Sequence, residues 1–259
     1  MKKSIFGLVV ALCLAIVNLF AADKEVKPFI VGTTSGYAPF VSLNNKGEYE
    51  GFDIDIAKEL ARKLNRPLQL KDYGNMPSLM LALKQKKVDA LIWAISITKD
   101  RKANLEMIYY QGDKVDTVPI IFWDQIPDGI ETLSDLGKIS KKPICVEAGS
   151  YQEDIMKTCP NISLKYFDGV QDVILDLKYG KSFASSIDPA LLPRFLDKYP
   201  KLKVLSLPLP KEMQSEGNGI CLNQADRELA NKVKKAIDEL KKEGIIFQLE
   251  KKWGLKNGN

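Results

Sequence analysis

The sequence contains no histidine. That absence excludes Ser-His and Cys-His nucleophilic machinery, and it deprives nearly every transition-metal site of its usual imidazole. Concentrated positive charge is missing as well. The formal net charge is +5, it falls to +3 without Lys2 and Lys3, and the basic residues are spread over helix exteriors such as KVKKAIDELKKEG (Lys232 to Gly244). Nucleic-acid binders carry a focused basic face, so that class is excluded. Long apolar runs are lacking too. The longest, Ile5 to Phe20, is shorter than the roughly 20 residues a membrane-spanning helix needs. No internal repeat or low-complexity linker breaks the chain.

What is present at the N-terminus is Lys2 and Lys3, the short apolar run, and the small pair Ala21–Ala22. This pattern predicts an export signal over residues 1–22, with cleavage after Ala21 or Ala22. Cys13 is a poor lipid-attachment site, because bulky Leu12 precedes it and the apolar segment continues past it. Removal of the signal leaves roughly 237 residues, enough for two modest lobes or one large domain. Cys145 falls early in one predicted strand and Cys159 at the end of the following helix, so the two can meet. Export permits a bridge between them, and the sequence leaves paired and free states open. Cys221 reads as a buried apolar filler.

Strands and helices alternate along the chain. The expected elements are a strand at Phe29–Thr33, a helix at Ile54–Leu64, a strand at Pro67–Asp72, a helix at Pro77–Gln85 and a strand from Val88. A second series follows, with strands near Ile144–Ala148, Leu164–Phe167 and Phe183–Ile187 and helices near Ser150–Thr158, Val170–Tyr179 and Pro189–Lys198. Such alternation implies an α/β fold of parallel sheets with right-handed crossovers. Two extended segments interrupt it, Thr117–Trp123 and Leu207–Leu222, and read as crossings between lobes, narrowest at Val118–Phe122 and Leu209–Gly219. The final helices, Arg227–Glu243 and Ile245–Trp253, return to the first lobe, separated by Gly244 as terminator. The predicted organisation is a first lobe of residues 23–117 and 214–259, a second lobe of 118–213, and a two-strand hinge.

The stretch Val88 to Arg101, VDALIWAISITKDR, is the most informative. An apolar run bounded by charge reads as a strand buried on both faces. Its polar residues then fall at the strand's carboxyl end, where open α/β sheets place ligands. Arg101 is a natural fork for a carboxylate, able to donate two parallel hydrogen bonds; the plain alternative is a surface loop arginine. Upstream, VGTTSGYAPF (Val31 to Phe40) closes a strand in a Gly, Pro and aromatic loop, and GFDIDIAKEL (Gly51 to Leu60) opens a helix. With ISITKDR and the closing LEKKWG (Leu249 to Gly254), these segments in this order resemble the bacterial extracellular solute-binding proteins of family 3. Within them they resemble the arginine-binding receptors of chlamydial type.

The resemblance implies a two-lobed periplasmic-binding-protein fold, a monomer in the periplasm, a free amino acid as ligand, arginine first, and an inner-membrane ABC permease as partner. It implies no cofactor, no metal and no catalysis. Arg101 would hold the ligand carboxylate, helped by the N–H of Ser96 and by Ser150 and Tyr151 at a glycine turn opening a helix. Many relatives carry threonine where Tyr151 stands. Asp188 would take the ammonium together with the Ser96 hydroxyl and the Ala94 carbonyl; its plain alternative is a helix cap before Pro189. Tyr37 and Phe52 would stack on the side chain, while Asp53 and Asp55 would favour the helix start. Trp93 departs from the small residue usual there. Glu147 stands where relatives place a selectivity residue and predicts a cationic ligand, arginine, lysine or ornithine. Thr34 occupies a position where several basic-amino-acid receptors carry an acid. The alternatives are a receptor for glutamine or another polar amino acid, with Glu147 paired to a lysine, and a dehydratase of cyclic dienyl acids with Glu147 as the acid.

Overall fold

The computed structural model describes residues 26–256. The predicted export signal and Cys13 lie outside the described residues. The chain runs β1 (Phe29–Thr33), β2 (Ser42–Leu43), β3 (Tyr49–Glu50), α1 (Phe52–Lys63), β4 (Leu68–Asp72), α2 (Met76–Lys84), β5 (Ala90–Ser96), α3 (Lys99–Asn104) and β6 (Glu106–Gln111). It continues through β7 (Thr117–Trp123), α4 (Leu136–Ile139), β8 (Ile144–Glu147), α5 (Tyr151–Lys157), β9 (Leu164–Phe167), α6 (Val170–Lys178), β10 (Ala184–Ser185) and α7 (Leu192–Lys198). Then come β11 (Leu202–Pro208), β12 (Asn218–Leu222), α8 (Arg227–Lys242) and α9 (Ile245–Lys252).

Two five-stranded sheets result, ordered β4-β1-β5-β12-β6 and β11-β7-β10-β8-β9. Each is mixed: β1 runs parallel to β4 and β5, and β8 to β9 and β10, whereas β12 and β7 enter antiparallel. The parallel strands are sandwiched between helices, which explains why β5 is buried at all seven positions. In β7, Val118, Ile120 and Phe122 pack in one apolar cluster and Ile121 in another, the period of two expected of a strand covered on both sides. Gly244 takes φ 72° between α8 and α9, the left-handed turn that ends a helix cheaply only with glycine.

Two expectations change, and one question left open by the sequence, the state of Cys145 and Cys159, is answered. Thr117–Trp123 is not a crossing: it pairs along its whole length with β11 inside the second sheet. Its lack of a preceding helix reflects antiparallel entry rather than passage between lobes. The chain passes between sheets at residues 112–116 and again at 209–217, and the two passages pair with each other at Val115 and Ser215 through hydrogen bonds of 2.9 and 3.1 Å. The strand expected over Phe183–Ile187 shrinks to Ala184–Ser185, because the chain turns out of the sheet toward Asp188 and Pro189. Cys145 and Cys159 are free and separately buried. The thiol of Cys145 lies against the carbonyls of Val173 and Ala184, and that of Cys159 turns back onto Ile155 of its own helix.

Candidate functional site

The carboxyl ends of β1, β5 and β8 and the loop after β10 converge between the sheets. Thr98 caps α3 by accepting from the Arg101 N–H at 3.3 Å, which fixes the root of the arginine side chain. The guanidinium then spans the lobes. Its Nη1 donates to the Ser96 carbonyl at 3.1 Å and its Nη2 to the Gly149 carbonyl at 3.0 Å, with Asp154 at 3.8 Å. Five N–H donors on a fixed fork leave others for a carboxylate. Gly149 itself has φ 74°, and a Cβ there would meet Met76 and Pro77 of the opposite lobe at 3.0–3.1 Å. Glycine is therefore needed both for the turn and for the approach of the lobes.

On the second lobe, Ser150 caps α5 by accepting from the Glu153 N–H at 3.0 Å, and Glu153 in turn accepts from the Gly149 N–H. The Ser150 N–H is spent on the Glu147 carbonyl at 3.2 Å, so it is not free for a ligand as expected. Tyr151 keeps its N–H at the helix start, where no intrahelical acceptor exists. Its hydroxyl leaves the site and donates to the Met213 carbonyl in the second passage.

Two acids meet at the centre. Glu147, at the end of β8, is buried and has neither an ion-pair nor a side-chain hydrogen-bond partner among the described residues. The lysine pairing considered for it does not occur. Burial, with the neighbouring Asp188 charge as a second cause, pushes its carboxyl up to about 8. Asp188 accepts from the Ala190 N–H at 2.8 Å as a cap and faces the Tyr37 hydroxyl across the cleft. Burial raises its carboxyl too, so its cap role and its cleft position coexist. Tyr37 packs against Trp93 with ring centroids 5.0 Å apart, and the buried Trp93 indole N–H has no acceptor among the described residues.

Several expected site residues are placed elsewhere. Phe52 is fully buried at the first position of α1, stacked on Tyr110 at 6.0 Å and edge-on to Phe40 at 6.3 Å, so it belongs to the core and Trp93 takes its place beside Tyr37. Thr34 is buried and its hydroxyl turns to Asp72, which also takes the Tyr49 hydroxyl at 2.6 Å. Asp55 lies in the first turn of α1, as expected, and also accepts from the Trp253 indole at 2.9 Å and from Lys252 at 2.6 Å, tying α9 to α1. Asp53 is buried and bonded to the Ala94 N–H at 2.7 Å. Sequence reasoning passed over Met76, which meets Gly149. The signal was present in Asn75-Met76-Pro77, a capping asparagine and an early proline that put Met76 at the cleft end of α2.

Comparison with known proteins follows the same lines. The family description of bacterial extracellular solute-binding proteins, family 3, matches residues 29–256. The chain is 32% identical to the probable ABC transporter arginine-binding protein ArtJ of Chlamydia trachomatis serovar D, over 91% of this chain and 89% of that one. It is 28% identical to the histidine-binding periplasmic protein of Escherichia coli K12, over 98% and 97% of the two chains. The holo structure of ArgBP from T. maritima matches with a TM-score of 0.71 at 28% identity, covering 86% of this chain and 94% of that one. No described helix is long and apolar enough to cross a membrane.

Proposed function

Because the chain belongs to the bacterial extracellular solute-binding proteins, family 3, we propose that it captures a free amino acid with a cationic side chain in the periplasm and delivers it to an inner-membrane ABC importer. Arginine is the leading ligand, followed by lysine and ornithine. The observation that carries this reading is Glu147, a buried carboxylate beside Asp188 with no countercharge of its own. An unpaired buried charge is costly, so the free site keeps its proton up to about 8, and a ligand with two positive ends stabilises the charged form. Arg101 then takes the carboxylate, Asp188 the ammonium, and Glu147 the distal cation. Tyr37 and Trp93 offer faces to a planar guanidinium, a contact worth roughly 0.5–2 kcal/mol. Relatives named for arginine and for histidine both occur, so membership of the family leaves the ligand open and Glu147 chooses it.

The mechanism is closure of two lobes, residues 26–111 with 218–256 against 117–208, about the paired passages at 112–116 and 209–217. Contacts across the cleft support it: Arg101 to Gly149 and Asn75 to Asp168 at 3.0 and 3.1 Å, and Tyr37 to Asp188. Small-angle scattering should show the purified protein contracting on addition of arginine. The same profile with and without arginine counts against the hinge.

A second reading draws on the same glutamate, since a carboxyl raised to about 8 is also a general acid in waiting. A dehydratase of cyclic dienyl acids would use it to protonate a leaving hydroxyl. The dicarboxylate prephenate would then face Glu147 and Asp188 with Arg101 as its main cation, a charge mismatch that argues for the receptor. Water loss from prephenate or arogenate, assayed directly, separates the two.

A further inference from the structure

The strand at the centre of the site is irregular, and the irregularity has an anchor. Across β5 and β12, Gly219 pairs with Ile95 but Cys221 with Leu91, so β12 advances two residues while β5 advances four. The surplus forms a bulge in which Ala94 takes φ 44°. That left-handed conformation is uncommon for a residue with a Cβ and persists only where its surroundings hold it. The holder comes from α1. Asp53 accepts the Ala94 N–H at 2.7 Å through Oδ2 and the Tyr110 hydroxyl at 2.6 Å through Oδ1. Asp53 has no solvent exposure and no cation paired with it among the described residues. Burial outweighs both hydrogen bonds and raises its carboxyl to about 7. The stack of Phe52 on Tyr110, with rings 13° from parallel, holds the tyrosine in place. On either side of Ala94 are groups of the site: Trp93 against Tyr37, and Ser96, whose carbonyl holds Arg101.

We propose that Asp53 is a positioning residue for amino-acid recognition: by holding the Ala94 N–H it locks the β5 bulge that presents the backbone and side chains of Trp93 to Ser96 to the ligand. It touches no ligand itself. Its effect passes through Ala94, a residue that would otherwise relax to ordinary strand geometry and carry Trp93 and Ser96 out of register. The inference rests on the amino-acid reading above, yet the anchor can be tested apart from it.

Calorimetric titration with arginine, on wild type and three variants, supplies the test. Asp53→Asn should bind within about threefold of wild type, since the amide oxygen still accepts from Ala94 and its NH2 can donate to the Tyr110 oxygen. Asp53→Ala should weaken binding by about tenfold or more. Adding Ala94→Gly to Asp53→Ala should recover at least about threefold, because glycine adopts positive φ without steric penalty. A merely structural role predicts the reverse, as glycine within a strand weakens it. Asp53→Ala binding like wild type, or a double variant weaker than Asp53→Ala, overturns the proposal. Hydrogen exchange of the Ala94 amide is the second readout, and it serves if Asp53→Ala does not fold. The amide should be protected in wild type and in Asp53→Asn; rapid exchange in wild type removes the anchor. Failure of wild type to bind arginine counts against the functional reading alone, and the anchor is then decided by this exchange.

Discussion

Replacing Arg101 with alanine is expected to abolish amino-acid binding while leaving the protein folded. The guanidinium is nearly buried, with 10% of its side chain exposed, and it donates to carbonyls of both lobes. Its loss removes the proposed partner of the ligand carboxylate and one of the links between the lobes. Stripping one member from a buried charge pair costs roughly 3–5 kcal/mol, which is about two to four decades in Kd. Stability should change far less, because α3 has no buried residues and Arg101 packs in neither apolar cluster. Titration and thermal unfolding of the same preparation give both numbers. An unchanged dissociation constant in a folded variant rules this site out.

The second large effect concerns Glu147. Glu147→Gln should weaken arginine binding by about two decades and leave glutamine binding unchanged or improved. A pH signature accompanies it. In the free protein burial and Asp188 raise the Glu147 carboxyl from 4.5 to about 8, and a bound cation favours the charged form and lowers it again. Arginine affinity is therefore full above pH 8 and declines as pH falls through that value, by up to about tenfold per unit. Stability of the free protein runs the other way. A group whose pKa is raised on folding holds a proton that the unfolded chain has released, so the contribution is complete below 4.5 and is lost as pH rises through about 8. Glu147→Gln should flatten both profiles. A wild-type affinity that is level across this window means that Glu147 is not the cation's partner.

Much of this was legible in the sequence, for a physical reason. Strands such as Leu164–Phe167 and helices such as Arg227–Lys242 are fixed by periodicity, and periodicity is local. Glu147 ends β8, while Arg101 and Asp188 lie five and three residues past the ends of β5 and β10; all three were singled out because strand ends in open α/β sheets face ligands. What escaped depends on pairing between distant segments. The bulge at Ala94 exists because β12 pairs with β5 across more than a hundred residues, and no pattern within VDALIWAISITKDR announces it. Asp53 looked like an ordinary acid at a helix start until that bulge supplied a buried N–H for it. Phe52, one residue earlier, was expected to stack on the ligand with Tyr37, but the close approach of α1 to β6 buries it on Tyr110. The second crossing, expected at Leu209–Gly219, falls at 209–217, but the first was misplaced because Thr117–Trp123 has the composition of a strand in any setting, and only its pairing with β11 shows which sheet owns it.

The central claim is that the cleft selects a cationic amino acid, and competition calorimetry on the unmodified protein tests it most directly. Arginine, lysine, ornithine, glutamine and glutamate are titrated at a pH above the Glu147 titration near 8. The account predicts arginine tightest, with a Kd of roughly micromolar to tens of nanomolar. Lysine and ornithine should follow, with glutamine weaker still and glutamate excluded by the like charge of Glu147. Glutamine displacing arginine would contradict it.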